Sequence, residues 1–255
     1  MTLDEAQLLA AVERSPEAAG RHDRQAWVGL FTGDGRVEDP VGSAPHVGHA
    51  ALGRFFDTFI AGRDIVFHRD LDIVCDRTVI RDMTLAIAMG PQVRMAVPAV
   101  LRYDLREDDD ELKIASLQAH WELPPMLLQF LGNGLAALPA GFALNRALLT
   151  NLGVGGLLGF LRGLRRPGPR QREALVEALT ALSVGDELGI RRSLGTARLS
   201  VDLDELRTRC YGASWAKVIA AGQSVTATVH AADRRMVVIA DFAGRAAIER
   251  LQVFG

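Results

Sequence analysis

Cysteine is scarce in this chain. Its 255 residues carry two, Cys75 and Cys210, far apart and with no Cys-x-x-Cys pair. That excludes a disulfide framework, and both read as buried thiols of a reducing compartment. An excess of either charge is also missing: Lys and Arg number 29, Asp and Glu 31, for a net charge of −2. Without a basic surplus, no nucleic-acid partner is expected. The first residues, Met1-Thr2-Leu3-Asp4-Glu5, are acidic and lack a charged-then-apolar leader pattern, so a cytoplasmic location is expected. The acidic run Glu107-Asp108-Asp109-Asp110-Glu111 lacks the ligand spacing and glycine of a calcium loop, and reads as a solvated hairpin tip. No metal and no cofactor are expected.

What is present is apolar. Hydrophobic residues make up 49% of the chain, enough for two modest cores. Residues 1–122 read as helices followed by strands, an α+β pattern. Thr2 can cap a first helix carrying Ala6, Leu9 and Val12, which Pro16 should break or restart. Asp23 can cap a second helix with Trp27, Leu30 and Phe31 on its apolar side. Residues 49–60 make a third. Strands are expected at 64–75, 79–89, 93–105 and 112–122, with Gly90-Pro91 turning one hairpin.

The chemistry centres on Val37-Glu38-Asp39-Pro40-Val41-Gly42-Ser43. One carboxylate, Asp39, precedes a proline and a Gly-Ser turn amid Phe31, Val37, Phe55, Phe56 and Phe59. Desolvation of a lone carboxylate disfavours its charge and raises its pKa toward the range of a working base. Spacing alone also allows a simple Asp-Pro turn.

Residues 15–60 resemble the start of the steroid Δ-isomerases of the NTF2-like (SnoaL-like) superfamily, and a weaker match runs on to about Glu122. The resemblance rests on Asp23, Trp27-Val28-Gly29-Leu30-Phe31, the Asp39 segment, Pro45, Gly48 and Phe55. It implies a cone of helices on a curved, mostly antiparallel sheet. It implies that Asp39 is the general base, moving a proton from the carbon alpha to a ketone to a site two carbons away. The family's oxyanion donors are not matched: Ser15, Phe56 and Ala99 stand in their places. Donors of this kind supply a large part of such catalysis, so two outcomes stay open. The protein is an isomerase of a steroid or related hydrophobic ketone, or a non-catalytic binder of a hydrophobic ligand. By strand parity Ala99, Val97, Leu101 and Tyr103 share one face, as do Leu117, Ala119 and Trp121. Trp121, Tyr103 and Ser43 are the candidate substitute donors, with packing of Trp121 and Tyr103 and a turn cap at Ser43 as the alternatives. The expected ligand wall is Phe31, Val41, Ser43, Phe55, Phe56, Ala99, Leu101, Tyr103, Leu117, Ala119 and Trp121.

Residues 123–170 form an apolar helical connector with a basic end. Residues 123–145 and 147–161 contain no charge, and Arg162, Arg165, Arg166, Arg170 and Arg172 surround Pro167-Gly168-Pro169. Prolines, Gln129 and Asn133 argue against a membrane span. Gly155, Gly159 and Gly163 suit tight helix contact. Covering the cone's mouth, packing between domains and peripheral membrane contact through 123–164 are the options, with burial against the two domains expected first. Residues 171–255 read as a degenerate, shortened NTF2-like domain: an amphipathic helix over 174–182, then strands near 223–231, 235–242 and 247–254. Asp186 lines up with Asp23, and Asp202 with Asp39. Such a repeat would form a pseudo-dimer within one chain; a homodimer is the alternative.

Overall fold

A computed structural model describes residues 4–164, 167–244 and 247–255. Thr2, Arg165 and Arg166 lie outside them. The chain divides into two units, Met1–Leu164 and Arg165–Gly255. Residues 123–164 therefore belong to the first.

In the first unit, helix α1 (Glu5–Gly20) starts at Asp4, which forms a capping box with Gln7. It runs on through Pro16. One lost hydrogen bond is offset because Leu8, Ala11, Val12, Ser15, Ala18 and Ala19 bury one continuous face. Asp23 caps α2 (Arg24–Gly29) through the Ala26 N–H. Then come β1 (Phe31–Glu38), the two-residue β2 (His46–Val47) and α3 (His49–Phe59), followed by β3 (Asp64–Cys75), β4 (Thr78–Met89), β5 (Val93–Asp108) and β6 (Glu111–His120). The sheet order is β2-β1-β6-β5-β4-β3, with β1 parallel to β6 and the other pairs antiparallel. Alternation along β5 puts Val97, Ala99, Leu101, Tyr103 and Leu105 on the buried face. Trp27 anchors the helices, with ring centroids 4.7 Å from Phe31, 5.8 Å from Phe55 and 5.6 Å from Phe56. Cys75 ends β3 in solvent, so only Cys210 is a buried thiol. Placed as the last residue of a half-covered strand, Cys75 has nothing packed over it.

Helices α4 (Leu123–Gly132), α5 (Ala137–Ala147) and α6 (Gly153–Leu161) follow, with helical residues running from Gly134 to Leu164. A π turn at Leu148–Leu152 and Gly153 at φ 66° interrupt that run. β6 ends opposite Val100, so the first part of β5 has an unpaired edge. The amides of Gln129 on α4 and Asn133 at its C-cap, four residues apart, hydrogen-bond Ala96 and Arg94 along it. The helices bury one face and expose the other. Leu128, Leu131, Leu135, Leu138, Phe142 and Val154 are each at least 67% exposed. The expected burial therefore holds for one face only, and it is against the first unit.

The second unit contains α7 (Pro169–Val184), α8 (Glu187–Leu194), β7 (Arg198–Leu199), α9 (Leu203–Cys210), β8 (Ser214–Ala221), β9 (Ser224–His230), β10 (Arg235–Ala243) and β11 (Ala247–Phe254). Its sheet order is β7-β11-β10-β9-β8, and β7 runs parallel to β11. That is the order of the first unit without β2. Asp186 caps α8 through the Gly189 N–H, as Asp23 caps α2. β8 was missing from the sequence reading, because Lys217 and a register shift interrupt its alternation. Leu175, Leu179 and Leu182 of α7 are at most 2% exposed and join Val225, Ala227, Val238 and Leu251 in one core.

Candidate functional site

The first unit encloses a cavity of about 190 Å³. α1, α3, β3 to β6 and the covering helices α4 to α6 all line it, and its walls are almost wholly apolar. Asp39 is the acidic residue of the wall and Arg63 the basic one, while Ser15 and Tyr103 add hydroxyls.

Asp39 follows β1 directly, and its peptide bond to Pro40 is cis. The loop is held at several points. Glu38 accepts from the Gly42 N–H at 2.9 Å, and the Val41 N–H donates to Ala119 O at 2.8 Å. The Ala44 N–H donates to Gly159 O of α6 at 3.0 Å. Trp121 Nε1 donates to Asp39 Oδ1 at 2.5 Å. Desolvation pushes the Asp39 carboxyl up to about 6, and the Trp121 bond holds it below where burial alone would put it. By surface area Asp39 is only partly buried, which suits a side chain facing an open cavity.

Deeper in the wall, Tyr103 is 1% exposed and hydrogen-bonded to Ser15, whose Oγ accepts from Trp27 Nε1 at 3.2 Å. Burial pushes the Tyr103 phenol up to about 12, so it stays protonated and keeps a donor. Its partner Ser15 occupies the place where the sequence resemblance put a tyrosine.

Of the residues expected in the wall, Asp39, Phe55, Leu101, Tyr103, Leu117, Ala119 and Trp121 line the cavity. Phe31, Val41, Ser43, Phe56 and Ala99 do not. Phe31 and Phe56 are turned into the packing around Trp27. Ala99 is on the same face of β5 but is fully buried within the core cluster. Val41 sits in the turn and is held to β6 by its N–H. The Ser43 hydroxyl is buried and makes no hydrogen bond among the described residues. Trp121, expected as a donor to substrate, spends its N–H on Asp39 instead.

Sequence reasoning missed Arg63, the β3 and β4 wall at Ile65, Phe67, Leu85 and Ile87, and the roof formed by Met126, Leu127, Phe130, Leu144 and Phe160. The alternation of Ile65 with Phe67 and of Leu85 with Ile87 was a usable signal. The roof had none, because its inward and outward faces are equally apolar.

Residues 8–103 match the family model described as the nuclear transport factor 2 (NTF2) domain. The first unit is NTF2-like. Among solved structures, this chain is 23% identical to RV0760c from Mycobacterium tuberculosis, over 48% of this chain and 96% of that one, with a TM-score of 0.43. It is 24% identical to Δ5-3-ketosteroid isomerase from Mycobacterium sp., covering 46% and 95% of the two chains with a TM-score of 0.42. An LEH-like epoxide hydrolase of M. tuberculosis is 18% identical, at 53% and 97% coverage and a TM-score of 0.44. No curated protein matches the sequence.

Proposed function

We propose that the NTF2-like unit binds an apolar ketone of steroid-like size and moves a proton on it with Asp39. One observation carries this: a single carboxyl poised near pKa 6 in the wall of an otherwise apolar cavity. Asp39 takes the proton alpha to the ketone, the carbonyl oxygen becomes an enolate, and Asp39 returns the proton two carbons away, bringing the double bond into conjugation. Asp39 ends as it began. The Tyr103 hydroxyl is the best-placed donor for the enolate oxygen, being buried, protonated and in the same wall as Asp39. Its present partner, Ser15, is also held by the Trp27 N–H, which donates to Ser15 Oγ, and so does not depend on Tyr103 alone.

The test is conversion of a Δ5-3-ketosteroid to its conjugated enone, followed in the ultraviolet. Activity abolished in Asp39→Asn and lowered in Tyr103→Phe supports the reading. Steroid binding without turnover selects a binding protein instead. We read the second unit as a degenerate repeat of the first, since element order, sheet order and the Asp186 cap recur.

The outer face of α4 to α6 supports a second reading, contact with an anionic lipid surface. Residues 123–172 contain six arginines and no acidic residue. Arg146 and Arg162 are exposed and make no ion pair among the described residues. Gly134–Leu164 reaches a mean hydropathy of 1.4 with 17% buried, which is apolar and long enough to cross a membrane by length and composition. Its inner face lines the cavity, so a peripheral seat fits better than a span. Cosedimentation with phosphatidylserine vesicles, weakened in the pair Arg146→Gln and Arg162→Gln, supports this contact. Protein that stays in the supernatant, or that sediments as a dimer without lipid, overturns it.

A further inference from the structure

Arg63 is a cation placed where the ligand would lie, and the proton transfer described above gives it no task. It sits between α3 and β3 and lines the cavity together with Phe59, Met89 and Leu144. Its Nη1 donates to Thr58 O at 2.6 Å, and its guanidinium carbon lies 6.0 Å from the centre of the Phe59 ring. These two contacts fix the plane of the group and use one of its five donors. Among the described residues, no carboxylate neutralises it. Desolvation accordingly pulls its pKa down to about 10, still charged at any physiological pH. Of the nearby carboxylates, Asp57 is bonded to Arg24, and Asp64, the next residue, faces His22 at 3.7 Å.

Arg63 and Asp39 lie at different levels of the sheet. Asp39 is next to Glu38, which is in register with Gln118 of β6. That level passes through Ala119 and Leu101, then Arg81, to Asp72 on β3. Arg63 precedes Asp64, the first residue of β3. Residues 64–72 span roughly 25 Å of strand contour, which the curvature of the sheet shortens in space. Between the two levels the wall is made of Phe67, Leu85, Ile87 and Val97. The cavity is thus an apolar passage with an acid toward one end and an uncompensated guanidinium toward the other.

We infer that Arg63 is the recognition site for an anionic end group of the ligand, and that the ligand is an apolar carboxylate whose acid lies at Arg63 and whose body runs toward Asp39. This rests on the reading of the cavity as a site for a hydrophobic ligand. A carboxylate suits the site because it accepts two parallel N–H bonds from one guanidinium and supplies the missing negative charge. It also gives the ligand a fixed direction, since the same group placed at the other end would face the Asp39 charge. A neutral ligand would leave a partly buried cation unpaired and would lose that advantage.

The experiment compares 5β-cholanic acid with its methyl ester, by displacement of the neutral dye Nile red from the full chain at pH 7.5. The wild type should bind the acid at least tenfold more tightly than the ester. Arg63→Met should bring the ratio close to one, by weakening the acid and not the ester. Arg63→Lys keeps the charge without the two-pronged geometry, and should fall between them. Equal affinity for acid and ester in the wild type, or a preference that survives in Arg63→Met, overturns the inference while leaving the apolar cavity in place. If the dye and both ligands all fail to bind, the reading of the cavity itself falls, and this inference with it.

Discussion

The two units share a topology and use it differently. In the first, helices and sheet stand apart around a cavity, and the carboxyl after the first long strand faces into it. In the second, α7 lies directly on the sheet, and Leu175, Leu182, Val225, Ala227 and Ala240 are fully buried against one another. The residue aligned with Asp39 is Asp202, which is exposed and caps α9 through the Asp204 N–H. Where β1 has eight residues, β7 has two. A short strand cannot hold a loop against its neighbour, so the carboxylate turns outward to a helix end. The fold permits a site but does not create one; the separation of helix and sheet does.

The strongest way to break this contrast is to neutralise the aligned carboxyls. Asp39→Asn should lower isomerisation about 10²–10⁴-fold, the usual contribution of a positioned base. Asp202→Asn should leave the rate unchanged, and Asp202→Ala should cost about 1 kcal/mol of stability in a denaturant titration, as a lost helix cap does. Equal effects of Asp39→Asn and Asp202→Asn on rate would mean that the cavity is not the catalytic centre.

pH gives the next largest effect. The Asp39 carboxyl titrates near 6 in the folded chain and near its ordinary 3.8 when unfolded. Between those values the folded form holds the extra proton, so stability contributed by this group is full at low pH and is lost as pH rises from about 4 to 6. The loss is about 2–3 kcal/mol, less where water in the cavity solvates the anion. Asp39→Asn should flatten that part of the profile and melt higher than the wild type at pH 8. The isomerisation rate should run the opposite way, rising through pH 6 as the base ionises.

Filling tests the units against each other. Ala240→Leu, in the packed second core, should cost about 1–3 kcal/mol by overpacking. Ala119→Leu points into the cavity, and should cost less while abolishing displacement of Nile red. The smallest effect is expected from Trp121→Phe. It removes the N–H that favours the Asp39 anion, so the midpoint of the pH–rate curve should move upward with the fold unchanged.

The strands of the first unit were legible in part: Val93, Met95, Val97 and Ala99 of β5 alternate cleanly and Gly90 and the acidic turn bracket that strand, whereas β3 carries a register shift between Arg69 and Leu71 and β4 is buried on both faces of its first half. Asp39 was legible from its Pro-Gly-Ser context among aromatics. The wall was only half legible. Parity says which side of a strand a residue takes, but it cannot say whether a neighbour's ring already fills the space, as Trp27 does against Phe31 and Phe56. Arg63 was hidden because a charged residue after a helix reads as solvated surface. The acceptor and ring that hold it, Thr58 O and Phe59, matter only once the helix has stopped.

Gly159 of α6 and Gly163 in the turn that follows it have a mechanical consequence. A Cβ on Gly159 would stand 2.8 Å from Ala44 Cβ, and one on Gly163 would stand 2.8 Å from Pro40 Cγ. The helix that roofs the ligand therefore rests, with no side chain between, on the loop that carries the base. Phe160, between those two glycines, reaches the cavity wall and packs against Phe59 at 5.1 Å. A side chain at either glycine would have to push the roof off that loop, so the seat of the roof and the position of the Asp39 loop are set by one and the same close approach, reinforced by the Ala44 N–H bond to Gly159 O.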